Sequence, residues 1–423
     1  MSDRVTARCC IAGGGPAGMV LGLLLARAGV DVVVLEKHRD FLRDFRGDTI
    51  HPSTLTVMAD LGLLDEFLEL PHQQVARLTA NIYGQSVTVA DFTHVAAARP
   101  YLVLMPQWDF LDFIARQGRV YPHFRLHMNA LATGVAERDG VVAGVQATIE
   151  GRPTTVECDL VVAADGRYST VRDSAGLDSV DLGAPMDVLW FRLSRSRAAG
   201  NAQTGGYVRP GLFLVAIDRG SYWQCGYAIP KGGFERLQAA GLAVLKRNIA
   251  DCAPFLQDSL DELVQWEDLK LLTVQVSRMP RWYREGLLCI GDAAHAMSPV
   301  GGVGINLAIQ DAVAAANLLA DPLREGRLQT ADLAAVQRRR DWPTRVTQRI
   351  QIAVQNEVLV PVLASEASPA RAKPPPLPIP LQVLRRLPLL SRIPARMIGI
   401  GVRPERVRSR AAAPPSASRT TRP

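Results

Sequence analysis

The sequence predicts an α/β (α+β) protein. It has a doubly wound parallel unit at the N-terminus, an inserted and mainly antiparallel sheet, and a helical region towards the C-terminus. Three observations carry this expectation. Residues 8–13 form an apolar run ending in glycines, residues 16–28 read as a helix, and residues 31–35 are an apolar, β-branched run of the buried parallel type. That strand–helix–strand order within thirty residues is a βαβ unit. Two further buried runs, residues 159–164 and 287–290, each end abruptly at a Gly/Asp pair, while residues 183–275 between them alternate in hydropathy without parallel spacing.

The remaining elements follow in order. Residues 130–158 read as a meander with tight turns at Asp139-Gly140 and Gly151-Arg152-Pro153. One amphipathic helix is expected over residues 234–249, and another over 306–319. A long Arg-rich helix should start near Ala331 and be kinked by Pro343. Near Ser365 the composition shifts to Ala, Pro and Arg; Pro374-Pro375-Pro376 favours polyproline II, and residues 406–423 are expected to be disordered. These breaks divide the chain into a discontinuous nucleotide-binding domain (1–75, 96–182 and 276–365), a sheet domain (76–95 and 183–275) and a Pro/Arg-rich extension (366–405). No internal repeat is visible.

Composition narrows the class. The 423 residues are 48% hydrophobic and 21% charged, which excludes a wholly disordered or collagen-like chain. The net charge of +7 is unevenly placed: residues 371–423 hold twelve basic residues and one acid, so the first 370 carry 36 basic and 40 acidic residues. The arginines of the extension lack interleaved aromatics, which argues against nucleic acid. Residues 381–402 mix Leu, Ile and Val with Arg385, Arg386, Arg392 and Arg396, a pattern suited either to an anionic membrane or to docking on the protein body, since Pro388 and Pro394 prevent one continuous helix. No signal-peptide pattern opens the chain, and the six cysteines show no paired spacing. A cytoplasmic protein with reduced thiols and no metal site, monomeric or homodimeric, is the expectation.

The strongest motif is Gly13-Gly14-Gly15-Pro16-Ala17-Gly18, placed between a strand and a helix. Gly13 permits a tight turn, Gly15 lets backbone approach a pyrophosphate, and Gly18 lets helix and strand pack closely. The helix N-terminus, which opens with Pro16, offers the free N–H groups of Ala17 and the residues after it to phosphates. Glu36 ends the second strand, 18 residues beyond Gly18, where its carboxylate can accept from a ribose diol; Lys37 follows it. A bound dinucleotide is implied.

Two more segments specify which one. They are Asp165-Gly166-Arg167-Tyr168-Ser169-Thr170-Val171-Arg172 and Gly291-Asp292-Ala293-Ala294-His295, the latter continuing through Pro299, Gly302, Gly304 and Asn306. With the fingerprint, they resemble the class A flavoprotein monooxygenases, the family of para-hydroxybenzoate hydroxylase and the ubiquinone-ring hydroxylases. The resemblance runs in register from residue 8 to about 319. It implies a Rossmann-type FAD-binding domain, tight non-covalent FAD, NAD(P)H as transient donor, O2, and an aromatic or polycyclic small molecule hydroxylated through a flavin C4a-hydroperoxide.

Physical chemistry supports a flavin at the third segment. Asp292 ends a strand and can reach hydroxyls of an extended cofactor. Gly301, Gly302 and Gly304 let backbone meet a flat ring, and the helix starting near Ile305 aims its amides at the site where reduced flavin is anionic. Where the family usually has Gln or Glu, this chain has Val303. The resemblance places FAD contacts at Arg46, Gln107 and Asp165, with Arg167 and Arg172 along the pyridine-nucleotide path; for Arg172 an intradomain salt bridge is the alternative. Pro299 lies beside the family's reaction centre. His51 and His295 are candidates to assist deprotonation of a phenol, against the alternative that both are packed structural histidines. Absence of a second strand-flanked G-x-G-x-x-G argues against a separate nicotinamide domain. The competing function is an FAD-dependent reductase or dehydrogenase that inserts no oxygen. Trp190, Tyr207, Tyr222 and Trp223 are the aromatics from which a substrate pocket would be drawn.

Overall fold

The computed structural model describes residues 3–42, 49–196, 200, 203–365, 376–377 and 379–412. Its first sheet has eight strands, with a parallel spine in the order β20 (Leu287–Cys289), β11 (Arg152–Ala163), β1 (Asp3–Ala12), β2 (Val32–Leu35) and β8 (Phe124–His127). Ala12 pairs with both Leu35 and Ala163, and Ala163 with Cys289, so the carboxyl ends of four strands finish level with one another. In open α/β sheets that edge is where ligands bind. An antiparallel strand, β19 (Tyr283–Arg284), flanks β20.

Helix α1 (Pro16–Arg27) is buried from Ala17 to Ala26 and lies between two other helices, α4 (Gln107–Arg119) and α8 (Gly304–Arg324). Its all-round apolar surface follows from that position. The meander is β9 (Ala130–Arg138), β10 (Val141–Ile149) and the first half of β11. Both its turns put two residues at positive φ: Asp139 and Gly140, then Glu150 and Gly151. The second turn therefore precedes the expected Gly151-Arg152-Pro153. A proline is locked near −65° and cannot sit at such a position, so Arg152 and Pro153 open β11 instead.

The second large sheet has seven strands in the order β17 (Lys270–Leu272), β13 (Met186–Ser194), β16 (Tyr222–Pro230), β15 (Leu212–Asp218), β14 (Gly205–Arg209), β5 (Arg77–Ile82) and β6 (Gln85–Asp91). Only β14 and β5 run parallel; the other pairs are antiparallel. Leu189, Phe191, Leu214, Trp223, Cys225 and Tyr227 form one face, packed under α7 (Leu242–Cys252) and the 3-10 segment Pro254–Glu262. By strand alternation Val188, Trp190, Phe213, Val215, Gln224 and Ala228 form the opposite face. The single helix expected over 234–249 is two, α6 (Phe234–Ala240) and α7, because Gly241 takes φ +93° between them. A three-stranded sheet joins β3 (Thr49–Ile50), β7 (Leu102–Leu104) and β4 (Gln73–Val75), and β12 (Val180–Asp181) pairs with β18 (Ser277–Arg278).

Short helices α2 (Pro52–Asp60), α3 (Leu64–Leu68) and α5 (Thr170–Ser174) complete the nucleotide-binding part. Helix α8 packs against α1, α2 and α9 (Thr330–Val354); although α8 and its approach, Val300–Arg324, are long and apolar enough to cross a membrane, they form the centre of the fold. Helix α9 continues on both sides of Pro343 as one element. Its buried face, including Leu333, Val336, Pro343 and Gln348, is held by packing that outweighs one missing amide bond. A π-helical turn, Gln355–Leu359, leads into α10 (Val360–Ala364).

The C-terminal extension forms α11 (Ile379–Arg386), a 3-10 turn Pro388–Ser391, and α12 (Arg392–Gly399). Disorder was expected from residue 406, but residues 406–412 lie against the nucleotide-binding domain. Arg406 is bidentate to Asp60, Asn317 Oδ1 accepts from the Arg408 and Ser409 amides at 2.7 and 3.0 Å, and the Ala412 amide bonds the Arg27 carbonyl at 2.8 Å. Backbone amides with fixed partners override a low-complexity composition. Residues 413–423 and Pro374-Pro375 lie outside the described residues. The six cysteines are free, five of them buried, and no group of three His, Cys, Asp or Glu suited to a metal occurs among the described residues.

Candidate active site

The glycine fingerprint forms the turn between β1 and α1. Gly13 takes φ +110°, and a side chain there would lie 2.3 Å from the Ala164 carbonyl oxygen; at Gly18 a Cβ would lie 2.0 Å from the Gly13 carbonyl oxygen. Above Gly15 a Cβ would meet nothing within 4 Å. Helix α1 has neither a side-chain cap nor an acid in its first turn, so the amides behind Pro16 and Ala17 are available to an anion. Glu36 is buried beside this turn, its two oxygens accepting from the Gly14 and His38 amides at 3.0 Å each. It braces the loop as well as closing the edge of the cradle. Lys37 stands exposed next to it. Arg46 lies outside the described residues.

The three motifs, far apart in sequence, meet here. Ala164 and Asp165 pass directly against Gly13, and Gly291 sits between Ala17 and Ala308, each 3.2 Å from where its Cβ would be. Asp165 turns its carboxylate into its own loop, accepting from the Ser169 hydroxyl and from the Val171 amide at 3.2 Å. Burial pushes its pKa up, against those bonds. Arg172 is buried and bonds the Ala293 and Arg167 carbonyls at 3.2 Å each and the Asp173 carboxylate at 2.9 Å. Those partners make it a clamp between the second and third motifs. Arg167 stays closer to the surface, 3.7 Å from Asp292.

The third motif forms a loop with left-handed glycines: Gly301 at φ +78° and Gly302 at φ +61°, leading into α8 at Gly304 and Ile305. Pro299 accepts the Gly302 amide at 3.0 Å. Helix α8 also lacks a side-chain cap and a first-turn acid. Asn306 is a buried clamp: Oδ1 accepts from the His51 amide (2.8 Å) and the Thr54 hydroxyl (2.7 Å), and Nδ2 donates to the Thr49 carbonyl (2.9 Å). His51 is fully buried, with Nδ1 2.7 Å from the Ile398 carbonyl and Nε2, without a protein partner, about 3.8 Å from a Cβ built on Gly302. Because a carbonyl only accepts, Nδ1 carries the proton. Burial, opposed by that bond, holds the imidazole pKa down at about 4, so the ring is neutral.

His295 is placed differently. Its Nε2 lies 2.5 Å from Asp311, its ring stacks at 4.9 Å on Trp282, and Arg340 Nε bonds the other Asp311 oxygen at 2.9 Å. Burial would raise the Asp311 carboxyl, but His295 and Arg340 hold it below the usual range. Arg340 continues to the Arg403 carbonyl (3.0 Å) and Glu405 (3.4 Å). His295 therefore props the loop from behind.

Residues 6–350 match the model of the FAD binding domain family. This chain belongs to that family. Among relatives of the FAD-binding chain, 6-methylpretetramide 4-monooxygenase of Streptomyces rimosus is 34% identical over 83% of this chain and 84% of its own. Para-nitrophenol 4-monooxygenase of Pseudomonas sp. (strain WBC-3) is 25% identical over 78% of this chain and 82% of its own. The crystal structure of pqsL, a probable FAD-dependent monooxygenase from Pseudomonas aeruginosa, superposes with a TM-score of 0.71 at 22% identity, covering 84% of this chain and 96% of that one; it shows the shared fold.

In this FAD-binding fold, the loop carrying Pro299 faces the second sheet. Val300 packs against the cluster of Met186, Ala228 and Leu359, which Phe213 and Leu363 also join; Met186, Phe213 and Ala228 are on the sheet face turned away from α7. Of the four aromatics expected near a pocket, Trp190 is on that face and lies over Gly226. Trp223 and Tyr207 are on the other face, each stacked on Phe255 at 5.0 Å, and Tyr222 packs under the Arg192 guanidinium. Gln107 begins α4, half-buried.

Sequence reasoning missed the residues that brace the loop. Gln348, Gln351 and Gln355 project from one side of α9 and its π turn. Gln348 bonds the Ala296 carbonyl (3.1 Å), Gln351 the Ser298 and Val300 carbonyls (2.9 and 2.8 Å), and Gln355 the Ser298 hydroxyl (2.9 Å). Their signal was there: three glutamines at i, i+3 and i+7 within an otherwise Arg-rich helix.

Proposed function

We propose that this chain is an FAD-dependent, NAD(P)H-consuming monooxygenase that hydroxylates an aromatic, polycyclic small molecule. The observation that carries the reading is the apposition of the Pro299–Gly302 loop, through Val300, to the apolar sheet face of Met186, Phe213 and Ala228, the face on which strand alternation also puts Trp190 and Val215. An apolar wall beside a glycine backbone is the kind of surface a flat apolar ring would lie against. The likeness to 6-methylpretetramide 4-monooxygenase and para-nitrophenol 4-monooxygenase supports the same substrate class.

The residues present fit FAD. The α1 N-terminus with Gly13, Gly15, Pro16, Ala17 and Gly18 would hold the pyrophosphate, Glu36 and Lys37 the adenosine side, and Gln107, Asp165, Gly291 and Asp292 the middle of the cofactor. Gly302, Gly304, Ile305 and Asn306 would hold the ring end. FAD, when bound, supplies hydride acceptance from NAD(P)H and activation of O2. The chain's own part is positioning. Helix α8 directs positive N-terminal charge at the ring end, Gln351 and Gln355 keep the loop rigid, and Pro299 shapes its turn. The sheet wall excludes water and holds the substrate ring face-on.

The test is substrate-stimulated NAD(P)H oxidation under isotopically labelled O2, screened over phenols and aromatic polyketides. One labelled oxygen atom per product is expected. Product formed anaerobically, or a bound flavin that neither NADH nor NADPH reduces, would overturn the reading.

A further inference from the structure

The C-terminal extension has two faces, and the protein uses one of them. On the inner side Leu377, Leu381 and Leu384 pack with Ile82, Val87 and Val208, while Ala395 and Ile398 pack with Ala90, Phe92 and Leu102. Both groups cover the β5–β6 end of the seven-stranded sheet. On the outer side Ile379, Leu387, Leu389 and Ile393 are between 57% and 76% exposed. Arg386, Arg392 and Arg396 stand exposed among them, with Arg385 beside them bonded to Gln85 of β6, and no acidic residue occurs between 376 and 404. Large apolar side chains gathered on one exposed strip mark an interaction surface.

We propose that residues 379–396 are a docking face for an anionic lipid membrane. Two short amphipathic helices separated by Pro388 can lie flat, with Leu387, Leu389 and Ile393 entering the headgroup–acyl boundary and the arginines reaching lipid phosphates. Charge complementarity selects this occupant. A second copy meeting the same face would oppose arginine to arginine. An acidic protein would pair the arginines but leave the apolar strip to be matched separately. The helix that carries this face touches the flavin loop from its inner side, because the Ile398 carbonyl of α12 bonds His51 and the Ile398 side chain lies 3.8 Å from a Cβ built on Gly301. Docking would bring that loop near the phase into which an apolar polycycle partitions.

The experiment is co-sedimentation of the full-length holoenzyme with phosphatidylserine–phosphatidylcholine vesicles and with pure phosphatidylcholine vesicles, at low and high salt. Binding to the anionic vesicles is expected, and about tenfold weaker binding to neutral vesicles or at high salt. Arg385→Glu/Arg386→Glu/Arg392→Glu and, separately, Leu387→Asp/Leu389→Asp should each weaken it about tenfold, with bound flavin and NAD(P)H oxidation in buffer unchanged. No binding to anionic vesicles at low salt overturns the proposal. So does binding lost on deleting residues 413–423 but untouched by both variants. A dimer in light scattering that Leu387→Asp/Leu389→Asp dissolves assigns the face to a second copy and also overturns it.

Discussion

Replacing His51 by asparagine should flatten the dependence of stability on pH between pH 7 and pH 5. In the folded chain the imidazole is fully buried and its pKa lies at about 4, against 6.5 when exposed. The folded pKa is the lower one, so the unfolded chain binds the proton first. His51's contribution is therefore complete above pH 6.5 and is lost as pH falls towards 4. The full gap is worth about 3.4 kcal/mol. Between pH 7 and pH 5, where the unfolded ring protonates and the folded ring stays neutral, the loss is about 1.8 kcal/mol. Urea unfolding of both proteins at the two pH values isolates this amount, because every other group titrates alike in each. The unsubstituted chain should lose about 1.8 kcal/mol more than His51→Asn. Equal losses would show that the ring gains its proton without unfolding, and the inference that Nε2 is a neutral acceptor beside the flavin loop would fall with it.

The glycine cradle separates folding from cofactor retention. Gly13→Ala should damage both, since its Cβ meets the Ala164 carbonyl oxygen at 2.3 Å, whereas Gly15→Ala, with open space around it, should fold normally but weaken FAD retention about tenfold, read from the flavin spectrum after gel filtration. Arg340→Met leaves Asp311 buried with half its charge uncompensated and should cost about 3–5 kcal/mol in urea unfolding; a change under about 1 kcal/mol would mean the network is open to water. Gln351→Ala strips the Ser298 and Val300 carbonyls of a donor, and about 1–3 kcal/mol of stability should go with it, together with more NAD(P)H consumed per hydroxylated product. Trp190→Ala should raise KM for a polycyclic substrate about tenfold, through lost ring contact worth ~1.4 kcal/mol, without moving the flavin spectrum.

The glycines were readable because each states a local backbone requirement. Gly13 needs a positive φ and Gly18 a close approach, and both requirements are written within six residues. The buried strands were readable for a similar reason: an unbroken apolar, valine-rich run such as Val32–Leu35 has few homes other than a parallel sheet covered on both sides. The side chains around the loop were not. Nothing near Asp165 says that its carboxylate closes its own turn, nothing near Arg172 says that it reaches Ala293, and His51 finds its partner 347 residues away at Ile398. Residues 406–412 show the same limit from the other side. Their low-complexity composition was overruled by fixed hydrogen-bond partners.

By itself, then, the sequence determined the class of fold and its FAD cofactor, and marked out the three glycine-rich motifs that the fold brings together, because glycine spacing and hydropathy period act over a few residues. Tertiary structure decided which face of the second sheet looks at the flavin loop, which histidine stands beside it and which stands behind, and how far the C-terminal segment is part of the same assembly. Those are questions of which polar atoms are buried together. Their cost depends on partners that only the folded chain brings within 3 Å.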